Sequence, residues 1–176
     1  NTDTPLADVL ASIDGEFAGV ITKVVSPTER QVYAFRDALG IKPLYYYNQE
    51  GVFAFSSELK ALTSIEGFDA SISEQALFYY LQTLYAPGTI TPFKAVHKLL
   101  PGHFLQVNTA TGAVQQQQYF KLSFKEDSTV RTEEEWIDLL DAHLNRAVER
   151  QLMSDVPVGF FLSGGLDSSL LVAIAK

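Results

Sequence analysis

The sequence predicts two folds in succession: an α+β region of mainly antiparallel strands up to about residue 120, then the opening of a parallel α/β domain. Three observations predict this. Short runs rich in β-branched and aromatic residues come in pairs around turn residues in the first part. A polar, aperiodic stretch then runs from Lys121 to Val130. Beyond it, the apolar run Val156 to Leu162 stops at Ser163-Gly164-Gly165, and a helical mix of leucine, alanine, valine and isoleucine follows to Lys176.

Taken in order, Val20-Ile21 and Val32 to Phe35 read as strands joined across the turn residues Ser26 to Arg30. Leu44 to Tyr47 and Val52 to Phe55 make a second pair around Asn48-Gln49-Glu50-Gly51, with the tyrosines as cross-strand packing residues. Ser57 reads as the cap of a short helix through Leu62. A longer helix is predicted from Ser73 to Leu84, with Leu77, Tyr80, Leu81 and Leu84 on one face and Pro87-Gly88 as its stop. Strands return at Phe104 to Val107 and Val114 to Phe120, split by a turn at Asn108 to Gly112. Thr132 and Glu135 form a capping box, and Trp136, Leu140, Leu144 and Val148 recur at helical spacing to about Leu152 as a buried stripe. Leu152 to Gly159 then leads into a buried strand ending near Leu162, and a helix is predicted from near Leu166.

Composition narrows the function. With 47% hydrophobic and 19% charged residues, the chain belongs among soluble globular proteins. A net charge of −8 argues against a nucleic-acid partner, whose phosphates demand clustered Lys and Arg. No apolar run reaches the ~18 residues that suggest a membrane span. There are no cysteines, which excludes thiolate metal sites, and His97, His103 and His143 are scattered and read as packing or surface residues. No metal-ligand set is predicted. A cytoplasmic, ATP-using enzyme fits this composition.

The strand–Ser-Gly-Gly–helix passage carries the chemistry. Such a turn aims backbone N–H groups and a helix N-terminus at an anion, and glycines let the backbone approach phosphate oxygens. A Walker A loop is excluded because no lysine follows the glycines. The nucleophile elbow G-x-S-x-G is half matched, since Phe161 stands at its first glycine. An ordinary strand-to-helix turn is the remaining alternative, and Asp167-Ser168-Ser169 tells against it. Elsewhere, Arg36 and Asp37 at a strand end read as a structural ion pair that fixes the turn before Gly40 and Pro43, with catalysis as the alternative. Glu58 is assigned no chemistry.

Ser163-Gly164-Gly165-Leu166-Asp167-Ser168-Ser169 resembles the pyrophosphate-binding loop of the N-type ATP pyrophosphatases. Its upstream context, Leu152-Met153-Ser154-Asp155-Val156-Pro157-Val158-Gly159, is similar to that of the glutamine-dependent asparagine synthetase family. Arg36 to Tyr46, Phe55 to Leu62 and Phe93 to His103 resemble, in family order, the back half and the closing segment of that family's glutaminase domain. The resemblance implies the C-terminal portion of an N-terminal-nucleophile hydrolase sandwich. After it would come the first helix–strand–helix of a doubly wound α/β ATP-pyrophosphatase domain. The expected boundaries are 1–121 for a partial glutaminase domain, 122–131 for a linker and 132–176 for the start of the synthetase domain.

The resemblance also implies asparagine synthesis from glutamine, aspartate and ATP, with Mg²⁺ as cofactor and a homodimer as the full-length form. Leu162, Ser163, Gly164, Gly165, Asp167, Ser168 and Ser169 would bind ATP and pyrophosphate, with Leu162 touching the nucleotide and Asp167 orienting the loop or reaching Mg²⁺ through water. Thr2-Asp3-Thr4 resembles the family's S-D-T motif, which makes Asp3 the residue for the α-amino group of glutamine. The family's cysteine nucleophile has no counterpart in this sequence, so no catalytic residue is assigned. Alternatives are a related amidotransferase or β-lactam-synthetase-like ligase acting on another carboxylate, and a degenerate regulatory domain. The chain opens on Asn1 and one strand and helix cannot build a parallel sheet, so the expectation is a piece of a longer protein, inactive by itself.

Overall fold

The computed structural model describes residues 4–125 and 127–176. They divide into two compact units, one closing at Ser123 and one running from Phe124 to Lys176. The first unit is α+β with two antiparallel sheets.

A short helix, α1 (Leu6–Ser12), opens the first unit; Asp8 lies in its first turn and Leu10 is buried. It adds to the elements expected from the sequence. Strands β1 (Ala18–Ser26) and β2 (Glu29–Arg36) then pair antiparallel across the Pro27-Thr28 turn. Strands β3 (Tyr45–Gln49) and β4 (Val52–Ser56) form a tight hairpin. Its two turn residues, Glu50 and Gly51, have φ of 50° and 79°. Positive φ at both positions is the primed turn whose twist matches that of the strands.

Helix α2 (Leu59–Leu62) follows, but Ser57 does not cap it. Glu58 holds the N-cap position without a side-chain bond, and Ser56 Oγ accepts the Glu58 N–H at 3.2 Å. The short polar side chain one residue earlier wins because it already lies at the strand end. Helix α3 (Glu74–Thr83) is capped by Ser73, whose side chain accepts the N–H of Ala76. It stops at Leu84, which adopts a left-handed φ of 62° ahead of Pro87-Gly88. The apolar face expected for it is exposed: Leu77, Tyr80, Leu81 and Leu84 all reach solvent and Ala76 alone is buried. Helical periodicity names the apolar face; it does not supply a surface for it to cover.

Strands β5 (Val96–Lys98), β6 (His103–Asn108) and β7 (Val114–Gln118) complete two sheets, ordered β1-β2-β6-β7 and β4-β3-β5. One core, of Ala34, Leu44, Leu99 and Leu105, takes side chains from both sheets, including Val20, Tyr46, Phe53 and Val114. A second, of Tyr47, Leu62, Ala95 and Val96, draws on Tyr45 and Ala54 and is closed by α2. Tyr46 enters one core while Tyr45 and Tyr47 enter the other, as strand alternation requires. Residues 121–125 and 127–132 carry no helix or strand.

In the second unit, Thr132 and Glu135 form the expected capping box on α4 (Glu133–Gln151). The predicted stripe is only partly realised: Val148 is buried, Leu144 half-buried, and Trp136 and Leu140 exposed. The Arg131 guanidinium stacks over the Trp136 ring at 4.6 Å, which holds the start of the helix to the preceding segment. Residues 156–162 do not form the predicted strand; they are irregular up to α5 (Leu166–Ile174). A strand needs a hydrogen-bonded neighbour, and among the described residues none pairs with this segment.

Candidate functional site

The turn before α5 has the local geometry that anion binding asks for. Gly164 has φ +81°, a left-handed conformation that only glycine adopts cheaply, and an added Cβ would meet nothing within 4 Å. The constraint at Gly164 is therefore conformational and not one of space. Gly165, extended at φ −75° and ψ 165°, is the N-cap of α5 and offers no capping side chain. The first helical bond runs from the Ser169 N–H to the Gly165 carbonyl at 3.1 Å. The N–H groups of Leu166, Asp167 and Ser168 precede that bond and have no acceptor within the helix.

Three of the expected residues are tied together. Ser163 and Ser168 place their hydroxyls 3.0 Å apart; Ser163 Oγ accepts the Gly165 N–H at 3.4 Å, and Ser168 Oγ donates to the Gly165 carbonyl at 3.2 Å. Leu162, Ser163, Gly164, Gly165, Asp167 and Ser169 are exposed and Ser168 is half-buried. Asp167, in the first turn of α5, brings the carboxylate of the loop. Phe160 lies apart from these groups, in an apolar hollow with Val158, Leu144, Val148 and Leu171. Asp3 lies outside the described residues.

In the first unit, Arg36 and Asp37 do not form the ion pair expected of them. Arg36 donates from Nε to the Lys42 carbonyl at 2.7 Å, from Nη1 to Leu99 at 2.7 Å and from Nη2 to Gly40 at 2.5 Å. Asp37 Oδ1 accepts from the N–H groups of Leu39 and Ile41, and Oδ2 from that of Lys42. Consecutive side chains at a strand end leave on opposite faces, so each grips the turn from its own side. Burial works to raise the Asp37 pKa, but the amides of Lys42, Ile41, Gly40 and Leu39 outweigh it and hold the carboxyl below the usual range. Gly40, at φ +70°, sits where a Cβ would come within 2.7 Å of Pro101 and 2.9 Å of the Arg36 guanidinium. The cluster is a brace for the turn.

Long-range partners complete that brace. Tyr119 Oη donates to the Arg36 carbonyl at 2.6 Å; burial, followed by the Asp37 charge, raises its pKa to about 12. Gly102 N–H donates to the Asp37 carbonyl, and Gly102 itself accepts from the Tyr119 and Phe120 amides. No spacing signal in the sequence marks Tyr119, which lies 83 residues from its acceptor. Glu58 pairs with Lys60 at 2.7 Å on the surface. His97 packs against the Tyr46 ring, with burial lowering its pKa. Among the described residues no group of three or more His, Asp or Glu gathers as a metal site. Nor is any helix there long and apolar enough to cross a membrane.

Comparison with known proteins agrees with both halves of the chain. Residues 6–120 match the glutamine amidotransferase domain family, and residues 139–176 match the asparagine synthase family. Asparagine synthetase [glutamine-hydrolyzing] 1 of Bacillus subtilis is 35% identical over 96% of this chain and 26% of its own length. A putative asparagine synthetase [glutamine-hydrolyzing] of Mycobacterium tuberculosis is 33% identical over the same shares. The amidase chyE of Penicillium rubens is 31% identical over 91% of this chain and 23% of its own length. The chain thus spans about a quarter of the length of the curated relatives it matches. With a glutamine amidotransferase region followed by the beginning of an asparagine synthase region, this chain belongs to the glutamine-dependent asparagine synthetase family.

Proposed function

We propose that this chain is part of an asparagine synthase that hydrolyses glutamine and uses ATP to amidate aspartate. The observation that carries the reading is the Ser163–Ser169 turn. A left-handed Gly164, two hydroxyls 3.0 Å apart and the open N-terminus of α5 stand there, within residues 139–176 that match the asparagine synthase family. Amides with no helical acceptor and a glycine backbone suit the oxygens of a pyrophosphate.

In this reading an oxygen of the aspartate side-chain carboxylate attacks the α-phosphorus of ATP, and the bond to the β-phosphate oxygen breaks. Pyrophosphate leaves toward the loop. Ammonia from glutamine then attacks the acyl carbon of the adenylate and AMP departs. Ser163, Gly164, Gly165, Ser168 and Ser169 face the departing phosphates and stabilise charge as it grows on them. Leu162 touches the nucleotide. The donor set at the loop suits Mg²⁺ carried by the nucleotide, because that ion is commonly held by one or two carboxylates together with phosphate oxygens, and Asp167 brings one carboxylate. Bound there, the ion would neutralise phosphate charge.

For the glutaminase half, Asp3 would hold the α-ammonium of glutamine by a charge-assisted bond. These 176 residues contain no cysteine, so the thiolate nucleophile is not among them. The two halves would correspond to a glutaminase domain of an N-terminal-nucleophile hydrolase type to residue 121 and, after a linker at 122–131, a doubly wound ATP-binding domain from 132. The whole enzyme is read as a cytoplasmic homodimer. The similarity to an amidase from Penicillium rubens leaves a second reading, a related enzyme that acts on another carboxylate or its amide.

The test uses the intact enzyme. Gly164→Val should abolish ATP–pyrophosphate exchange and leave glutamine hydrolysis measurable. Exchange at the native rate would overturn the assignment of the loop. Exchange with aspartate replaced by other carboxylates separates the two readings of substrate. The 176-residue chain alone should neither hydrolyse glutamine nor form AMP.

A further inference from the structure

Beneath α3 lies a cleft of about 480 Å³, well inside the ~300–1,000 Å³ range of small-molecule sites. Leu77, Tyr80 and Leu84 line it together with Ile72 and Ile90. The lining is apolar apart from a few backbone and hydroxyl groups and a single cation, Lys98.

Lys98 is held in place by its strand. It pairs with Tyr45 across β3 and β5, and its own N–H donates to the Thr89 carbonyl at 2.9 Å. Its Nζ reaches the Ala86 carbonyl at 3.3 Å, and among the described residues no carboxylate pairs with it. An ammonium carries three donors, so the protein leaves this one under-served. Arg36 adds to the local charge: its bonds described above go to the neutral carbonyls of Lys42, Leu99 and Gly40. The nearby carboxylate, Asp37, is turned to backbone amides. Burial lowers the Lys98 pKa, and the Arg36 charge lowers it further. A cation with apolar walls and a like charge behind it is the arrangement that a bound anion relieves. The chain as a whole carries −8, so no general excess of positive charge would draw an anion to it.

We propose that the cleft under α3 binds a small amphiphilic carboxylate, with the carboxylate on Lys98 Nζ and the apolar chain along Leu77, Tyr80 and Leu84. The apolar walls select a chain-bearing anion over a bare one, since an inorganic anion would leave them wet. None of the residues assigned above to ATP or to glutamine lines this cleft, and the proposal does not depend on the function proposed above.

Titration calorimetry on the 176-residue chain, with decanoate below its micellar range and with 1-decanol, tests the proposal. Decanoate should bind saturably at one site and more tightly than the alcohol. Lys98→Met, which keeps the length of the side chain and removes its charge, should weaken decanoate about tenfold or more and leave decanol unchanged. Leu77→Glu, at an exposed helix position, should abolish decanoate binding with the near-ultraviolet signal of the tyrosines retained, and it serves where Lys98→Met does not fold. No saturable decanoate binding to the native chain would overturn the proposal. So would equal affinity for acid and alcohol, or native decanoate affinity in either folded variant.

Discussion

The two units treat their apolar residues in opposite ways. Up to Ser123, strands from two sheets bring Ala34, Leu99 and Leu105 to 1% exposure or less. From Phe124 on, Val148 is the one hydrophobic residue buried among those described, while Phe161, Leu166 and Met153 stand in solvent. Yet the second unit holds the more recognisable motif. That motif is a local object, set by one glycine conformation and one helix start. A core is a non-local one, and the second unit has no strand of its own, among the described residues, to cover the apolar faces of α4 and α5. The recognisable motif and the buried core therefore reside in different parts of the chain.

Spectroscopy can read the two units apart, because all eight tyrosines precede residue 124 and the single tryptophan, Trp136, follows it. The largest effect is expected from Leu99→Ala, which empties a site with no exposure and should cost about 2–5 kcal/mol. Urea melts followed by tyrosine circular dichroism should shift, with Trp136 fluorescence unchanged; a joint shift would mean that the units unfold as one.

Next comes Asp37→Ala, which orphans the amides of Leu39, Ile41 and Lys42 and should cost about 2–3 kcal/mol on the same tyrosine signal. The Asp37 carboxyl has a depressed pKa when folded, so its stabilisation is present above the unfolded value near 3.8 and is lost as pH falls through the folded one. Acid titration of Asp37→Asn should therefore lack a stability loss that the native chain shows below about pH 4. An identical acid profile would count against the brace.

Gly164→Ala tests the second unit. A left-handed residue with a Cβ costs about 1–2 kcal/mol, although there is room for the methyl group itself. Trp136 fluorescence in urea should report a loss no larger than this. The smallest effect is Thr132→Ala, which removes the capping bond to Glu135 and should cost about 1 kcal/mol, read as lower helicity by far-ultraviolet circular dichroism. Wherever the tyrosine signal also moves, the comparison between the units is wrong.

Much of this protein follows from short-range signals. The paired strands around Pro27-Thr28 and Glu50-Gly51, the Ser73 cap, the Thr132–Glu135 box and the start of α5 after Gly165 are all choices made within a few residues. Backbone sterics and capping act at that range, so sequence alone determines them. The glycine turn that precedes α5 was legible for the same reason, although the strand expected before it did not form.

Tertiary structure decided what depends on distant partners. Whether Leu77 and Leu84 of α3 are buried, and whether Val156 to Leu162 becomes a strand, turns on a neighbouring surface that periodicity does not encode. Arg36 is committed to the Leu99 carbonyl 63 residues away and Tyr119 to the Arg36 carbonyl 83 residues away. Lys98 is brought under α3 by pairing with Tyr45. In each case the residue type permits several partners, and only the assembly of the sheets selects one, because burial and hydrogen bonding at long separation are properties of the fold and not of the local chain.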